Sequence, residues 1–165
     1  MKPFYHYLLL ALVCMSLQSC FFIFQPEKRE TSAYTPITMT RAELNQSIKM
    51  QTARALRQPG KIYVRAPYLF INDRYDGVHI VDNTNPANPQ KVAFISIPGC
   101  LDIAVKGNTM YVDNASDLVA IDITNPTQAQ VMKRVENMFP LNTVSPDGYS
   151  YSIAGDKIIV GWTKN

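Results

Sequence analysis

Gly77-Val-His-Ile-Val-Asp-Asn-Thr-Asn-Pro86 decides how the chain is read, because Leu118-Val-Ala-Ile-Asp-Ile-Thr-Asn-Pro126 states it a second time. Asp82 falls on Asp122, Thr84 on Thr124, Asn85 on Asn125 and Pro86 on Pro126, an offset of 40 (122 − 82). Each copy is an apolar run closed by Asp-x-Thr-Asn-Pro, which is a strand feeding a tight loop. The aspartate and asparagine accept from nearby backbone N–H groups, and the proline presets φ. Asp82, Asn85, Pro86, Asp122, Asn125 and Pro126 are therefore assigned as structural turn residues of a repeat. Repetition at about forty residues marks a unit that buries its apolar faces by stacking on its neighbours.

Outward from these two lines the chain breaks into short strands. Lys61–Val64, Tyr68–Asn72, Gly77–Asp82 and Lys91–Ile97 form one set; Leu101–Lys106, Thr109–Asp113, Leu118–Ile123 and Val131–Met138 form the next. Corresponding strands start 40, 41, 41 and 40 residues apart. Asp76-Gly77, Gly107-Asn108 and Ala115-Ser-Asp117 supply turn chemistry at the joins. Four short antiparallel strands per forty residues is the arithmetic of a propeller blade. Ser145-Pro-Asp-Gly-Tyr149, followed by Tyr151–Ala154 and Lys157–Trp162, resembles a hairpin common in propellers. The expected fold class is all-β: a partial β-propeller of about two and a half four-stranded blades, at residues 61–97, 101–138 and 143–163. Two and a half blades do not hide their sheet edges. A truncated frame, a fragment, or self-association that covers the open edges would account for the shortfall, and truncation is the favoured expectation.

The two signature lines resemble the LVIVD-repeat family of bacterial propeller-like proteins, with Val-His-Ile-Val-Asp82 and Val-Ala-Ile-Asp122 as the local versions. The likeness runs from about Pro59 to Pro140. Gly60-Lys-Ile-Tyr-Val64, Tyr68-Leu-Phe-Ile-Asn72 and Ala104-Val-Lys-Gly-Asn108 look like the strands and turn between the signatures. The resemblance implies a propeller fold and a cell-surface or periplasmic location. It implies no common activity and no shared catalytic residues.

The N-terminus reads as a secretory signal over residues 1–19, with Lys2 ahead of the apolar core Leu8–Leu17. Leu17-Gln-Ser-Cys20 looks like a lipobox, with Cys20 as the lipidated first mature residue. Gln18 is bulkier than usual in such a site. The rival reading is an uncleaved anchor over Leu8–Phe24, seventeen positions (24 − 8 + 1), at the lower limit for a spanning helix. A third reading is soluble secretion; under the first two the membrane is the expected partner, and the location is the cell envelope, at the outer membrane or cell surface. With Cys14 removed and Cys20 lipidated, Cys100 is left alone, and a small filler beside a turn is the plainer reading of it.

Residues 20–40 read as a flexible tether, polar and proline-punctuated. Thr40-Arg-Ala-Glu43 is a capping-box pattern, with Leu44, Ile48, Ala55 and Leu56 behind it, and predicts a short helix over 41–58. Residues 27–65 hold eight Lys or Arg against three Glu, net +5, whereas 66–165 hold seven basic against ten acidic side chains, net −3. The positive charge suits a solvated helix face or, less simply, anionic headgroups. Nothing points to nucleic acid, since no basic stripe faces an aromatic platform.

The search for chemistry returns little. Asn72-Asp-Arg-Tyr-Asp-Gly77 fails the calcium-loop spacing, and Asn83 stands where the closing glutamate belongs. Asp113, Asn114 and Asp117 suit turn capping better than an irregular cation site. His79 has no second mature histidine for a zinc site, and no nucleophile elbow, dinucleotide fingerprint or P-loop spacing occurs. No cofactor, metal site or catalytic residue is assigned. A hydrolase would need Asp73, Asp76, Asp113 or Asp117 to converge in one pocket. Tyr63, Tyr68, Phe70, Tyr75, Tyr111, Tyr149, Tyr151 and Trp162 fall in or beside strands, mainly as core and in part as rings for a sugar or peptide. The resulting expectation is a membrane-anchored envelope lipoprotein whose repeats form a non-catalytic binding or scaffold module for a protein or glycan. The alternatives are a truncated relic without independent function, and a hydrolase acting on envelope polymers.

Overall fold

The computed structural model describes residues 31–165; the signal segment and Cys20 lie outside them. The chain is all-β, with three antiparallel sheets that do not close into a ring. Strand β1 (Tyr34–Thr40) leads through a five-residue helix α1 (Arg41–Asn45) to β2 (Lys49–Gln51). The first repeat is β3 (Pro59–Arg65), β4 (Tyr68–Asp73), β5 (Gly77–Asp82) and β6 (Gln90–Ser96). The second is β7 (Ile103–Lys106), β8 (Thr109–Asn114), β9 (Asp117–Asp122) and β10 (Gln130–Val135), and β11 (Lys157–Lys164) ends the order. Sheet I runs β2-β6-β5-β4-β3, sheet II runs β10-β9-β8-β7, and β1 pairs with β11.

The forty-residue period governs register as well as sequence. Ile80 pairs with Ala93, but Val81 pairs with Lys91, so Val92 bulges out of β6. In β10, Val131 pairs with Ile121 and Lys133 with Ala120, so Met132 bulges in the same way. Val92 and Met132 stand forty residues apart (132 − 92). A bulge bends a strand and sharpens its twist, so its recurrence shapes both sheets alike.

Period-two alternation decides what each face does. Phe70, Val78, Ile80, Ala93 and Ile95 of sheet I meet Ile103, Val105, Met110, Val112, Val119 and Ile121 of sheet II in one buried cluster. The other parity, His79, Val81 and Phe94, looks away from sheet II and is buried too. The chain between β2 and β3 covers it, with the Arg54 guanidinium 3.8 Å above the Phe94 ring. A second, smaller cluster joins Leu44 of α1 to Ile158 and Val160 of β11, with Met39 and Ala115 against it.

Three expectations need correction. The tether does not extend to residue 40, because Tyr34–Thr40 pairs with β11 from Tyr34↔Lys164 to Thr40↔Lys157. From Tyr34 to Thr38 successive residues alternate half-buried and exposed, a strand pattern that composition alone read as linker. The helix over 41–58 stops after Asn45. Its capping box forms, with Thr40 Oγ1 accepting from the Glu43 N–H at 3.3 Å and the Glu43 carboxylate accepting from the Thr40 N–H at 2.8 Å. Lys49–Gln51 then joins the edge of β6 instead, since a stripe of four scattered apolar residues cannot outweigh sheet pairing. The partial third blade over 143–163 is not one hairpin sheet. Ser145–Tyr149 makes its turn with the single bridge Val144↔Ser150, Tyr151–Ala154 is not a strand, and β11 takes β1 as its partner.

Gly77 opens β5 at φ +141°, a region closed to side chains, and a Cβ there would overlap the Ile95 carbonyl oxygen. Gly77→Ala should therefore lower the stability of the full chain by about 3 kcal/mol or more, read as a drop in the urea midpoint.

Candidate functional site

The repeated loops behave as local braces. Asp82 Oδ1 accepts from the Thr84 N–H at 2.8 Å and its hydroxyl at 2.6 Å; Asp122 Oδ1 does the same with Thr124 at 2.8 and 2.7 Å. Those bonds hold both carboxyls below their ordinary range. Asn85 Oδ1 accepts from the Ala87 N–H at 3.2 Å, and Asn125 Oδ1 from the Thr127 hydroxyl at 2.9 Å. Pro126 opens a 3-10 turn, Pro126–Gln128, and is buried in it. Pro86 sits at the matching place in an exposed loop.

A second pair of equivalent aspartates tethers the approach to each repeat's first strand. Asp73 Oδ1 accepts from the Gln58 N–H at 2.6 Å, and its carboxylate also takes the Arg57 N–H. Asp113, forty residues on, accepts from the N–H groups of Leu101 and Asp102 at 2.8 to 3.0 Å. Their titration differs because their company differs. Burial pushes the Asp73 carboxyl up, but hydrogen bonds from His79 and the two backbone amides outweigh it and hold it low. Burial also pushes Asp113 up, and its backbone amides do not offset it, so this carboxyl sits above its ordinary value. His79 Nε2 lies 3.0 Å from Asp73 Oδ2. An ionised carboxylate only accepts, so Nε2 carries the proton; Nδ1 has no partner.

Arginines of the N-terminal segment close both clusters. Arg54 reaches Asp76 at 2.6 Å and Asp73 at 3.7 Å. Arg41 and Arg134 both meet Asp117 Oδ2 at 2.7 Å, and Asp117 Oδ1 accepts from the Asn137 N–H at 3.0 Å. Burial raises the Asp117 carboxyl, but Arg41, the Asn137 amide and Arg134 outweigh it and hold it low. None of these three arginines was singled out by sequence reasoning. The available signal was the net +5 of residues 27–65 set against the net −3 beyond them, which pairs the two parts of the chain. The solvated helix face expected for that charge is corrected at Arg41 and Arg54.

The four aspartates named for a hydrolase do not share one pocket. Asp73 and Asp76 meet Arg54, Asp117 meets Arg41 and Arg134, and Asp113 holds the chain before β7. Asn114 donates to the Pro98 carbonyl at 2.6 Å and accepts from Arg134 at 2.8 Å. Cys100 is fully buried, and burial followed by the Asp113 charge pushes its thiol well up. Among the described residues no three His, Cys, Asp or Glu side chains group as metal ligands, and no helix is long and apolar enough to cross a membrane.

The aromatic residues divide. Phe70, Tyr63 and Tyr68 belong to the core between the sheets. Tyr149 packs edge to face on Tyr151, and Tyr151 meets Trp162 at a tilt, with centroids 5.3 Å apart in each contact. Tyr111 lines a cavity of about 390 Å³ on the outer side of sheet II, with Ala104, Leu118, Phe139 and Pro140 among its walls.

Asp117→Asn leaves two guanidinium groups without a buried carboxylate, and we expect a loss of about 3 kcal/mol. The depressed folded-state value means that Asp117 contributes stability above pH ~3.8 that is lost as pH falls through the lower folded value. The variant's stability should therefore fall less steeply on acidification below pH ~4, as urea titrations across pH would show.

No curated protein and no solved structure matches the chain. The LVIVD repeat does, at residues 58–93, which hold β3 to β5 and the start of β6, and again at 100–137, which hold β7 to β10. A turn motif, a strand order and a bulge that all recur at the same interval identify the two matched segments as a pair of LVIVD repeats.

Proposed function

We propose that the chain is a membrane-anchored envelope lipoprotein, held by a lipidated Cys20, whose LVIVD repeats act as a non-catalytic binding or scaffold module. The observation that carries the binding role is the apolar outer side of sheet II. There the 390 Å³ cavity opens between β7, β8 and the 139–142 segment. Tyr111 and Phe139 of its wall are 38 and 39% exposed. An apolar wall left open in this way on a folded chain marks a place where another surface docks. The partner is a protein or a glycan, and a second copy that covers the open sheet is one form of it.

Support for a non-catalytic role comes from the employment of the acids. Asp73 and Asp117 are engaged by backbone amides and cations, and the Cys100 thiol is buried with its proton held. Groups tied into structural bonds are poor proton carriers for a substrate. The membrane anchor rests on the Leu17–Cys20 motif alone.

Mass spectrometry of the protein extracted from its membrane tests both parts. A mature chain beginning at a diacylated Cys20, and a discrete complex under native conditions, are the expected results. Phe139→Asp should dissociate that complex while leaving the mass of the lipidated chain unchanged. An intact Met1 would remove the lipoprotein reading, and a stable monomer with no captured partner would remove the docking reading.

A further inference from the structure

A cleft of about 470 Å³ lies between the β1-β11 sheet and the turn that joins β4 to β5. Arg54, Arg57, Arg74 and Lys164 line it, with Tyr75 and Trp162, and Asp76 is the one carboxylate in the wall. Asp76 takes Arg54 at 2.6 Å and Arg57 at 3.6 Å. Arg74 and Lys164 have no carboxylate within 4.0 Å among the described residues. Among the described residues four cations therefore border a cleft with one carboxylate in its wall, while Asp73 lies behind Arg54 at 3.7 Å. Gathering like charges costs free energy unless a counter-charge joins them. Two further donors of these side chains, Arg54 Nε and Trp162 Nε1, are buried and have no acceptor among the described residues.

The second repeat shows that the turn itself does not require these side chains. Tyr75 stands in the left-handed region at φ 66°, and Ala115, forty residues on, stands there at φ 56°. Alanine makes the same turn, and Asn114 takes the place of Arg74. A bulky residue in that conformation is strained and is kept where its side chain has a use. Only the first repeat's turn carries Arg74-Tyr75; at the second, Ala115 packs against the small cluster of Ile158 and Val160.

We propose that this cleft is a binding site for a small anionic ligand, a phosphate or carboxylate group on a sugar-sized body. The anion sits among Arg57, Arg74 and Lys164, and the body lies along Tyr75 and Trp162. The volume falls in the range of small-molecule sites. Guanidinium groups suit forked oxyanions, and aromatic walls suit a ring face. The site stands apart from the apolar outer side of sheet II, and the inference goes beyond the docking role proposed for that surface and stands without it.

Trp162 is the only tryptophan of the chain, so intrinsic fluorescence of the full-length protein in detergent reads this cleft. Glucose 6-phosphate and glucuronate should each give a saturable change, inorganic phosphate a weaker one, and glucose none, at matched ionic strength. Arg74→Gln with Lys164→Gln should weaken glucose 6-phosphate binding about tenfold or more. Both side chains are exposed and unpaired among the described residues, so the thermal midpoint should not move. Arg74→Gln alone, with a smaller loss, serves if the double variant folds poorly. No saturable change with either anionic sugar, an equal response to glucose, or unaltered binding in the variants would overturn the site.

Discussion

A β-sheet has two faces, and every sheet of this protein has to find cover for the apolar one or leave it to another molecule. Sheets I and II solve half of the problem on each other, through the cluster that runs from Phe70 and Ile80 to Met110 and Ile121. Burial of such side chains stabilises by about 1.5 to 3 kcal/mol each, so this contact dominates the fold. The rest of the architecture follows from the two faces that remain. Sheet I turns its second face to the chain ahead of β3, where the Arg54 guanidinium stands over the Phe94 ring. Sheet II has only the 139–142 segment, and a cavity stays open beneath it.

The N-terminal segment is thus a structural part of both repeats. It contributes β1 to the last strand, β2 to the edge of sheet I, and Leu44 to the small cluster with Ile158 and Val160. It also brings the cations that buried carboxylates demand. Asp117 is fully buried, and a charge in that position is tolerated because Arg41, Arg134 and a backbone amide surround it. Asp113 has amides and, among the described residues, no cation in ion-pair reach, and burial holds its carboxyl above the ordinary value. Asp73, its counterpart forty residues earlier, gains the His79 hydrogen bond beside its amides and is held low, so the neighbours that the tertiary structure supplies push equivalent aspartates in opposite directions.

Repetition explains where function resides. Features shared by both repeats, such as the Asp82 and Asp122 braces, the Val92 and Met132 bulges and the Asp73 and Asp113 tethers, maintain the sheets. Features found in one repeat only are free of that duty. Arg74-Tyr75 against Asn114-Ala115 is the clearest contrast, because the backbone is alike and the side chains are not. The asymmetry singles out the cleft beside β11, just as the missing cover singles out the outer side of sheet II.

Sequence by itself determined the repeat, its period and the strands within it. Those properties rest on local chemistry: turn residues at fixed offsets and apolar residues at period two, both of which act over a few neighbours. Gly77–Asp82 was legible to the residue for that reason, and the capping box at Thr40 and Glu43 was legible as a helix start. The length of that helix was not, because Lys49–Gln51 leaves the helical pattern only when β6 offers an edge. Nor was the pairing of Tyr34–Thr40 with Lys157–Lys164, whose partners stand more than a hundred residues apart and share no motif. The arginine and aspartate clusters and the cationic cleft were out of reach for the same reason. Each is built from side chains on two or more separate segments, and only tertiary packing brings those charges within reach of one another.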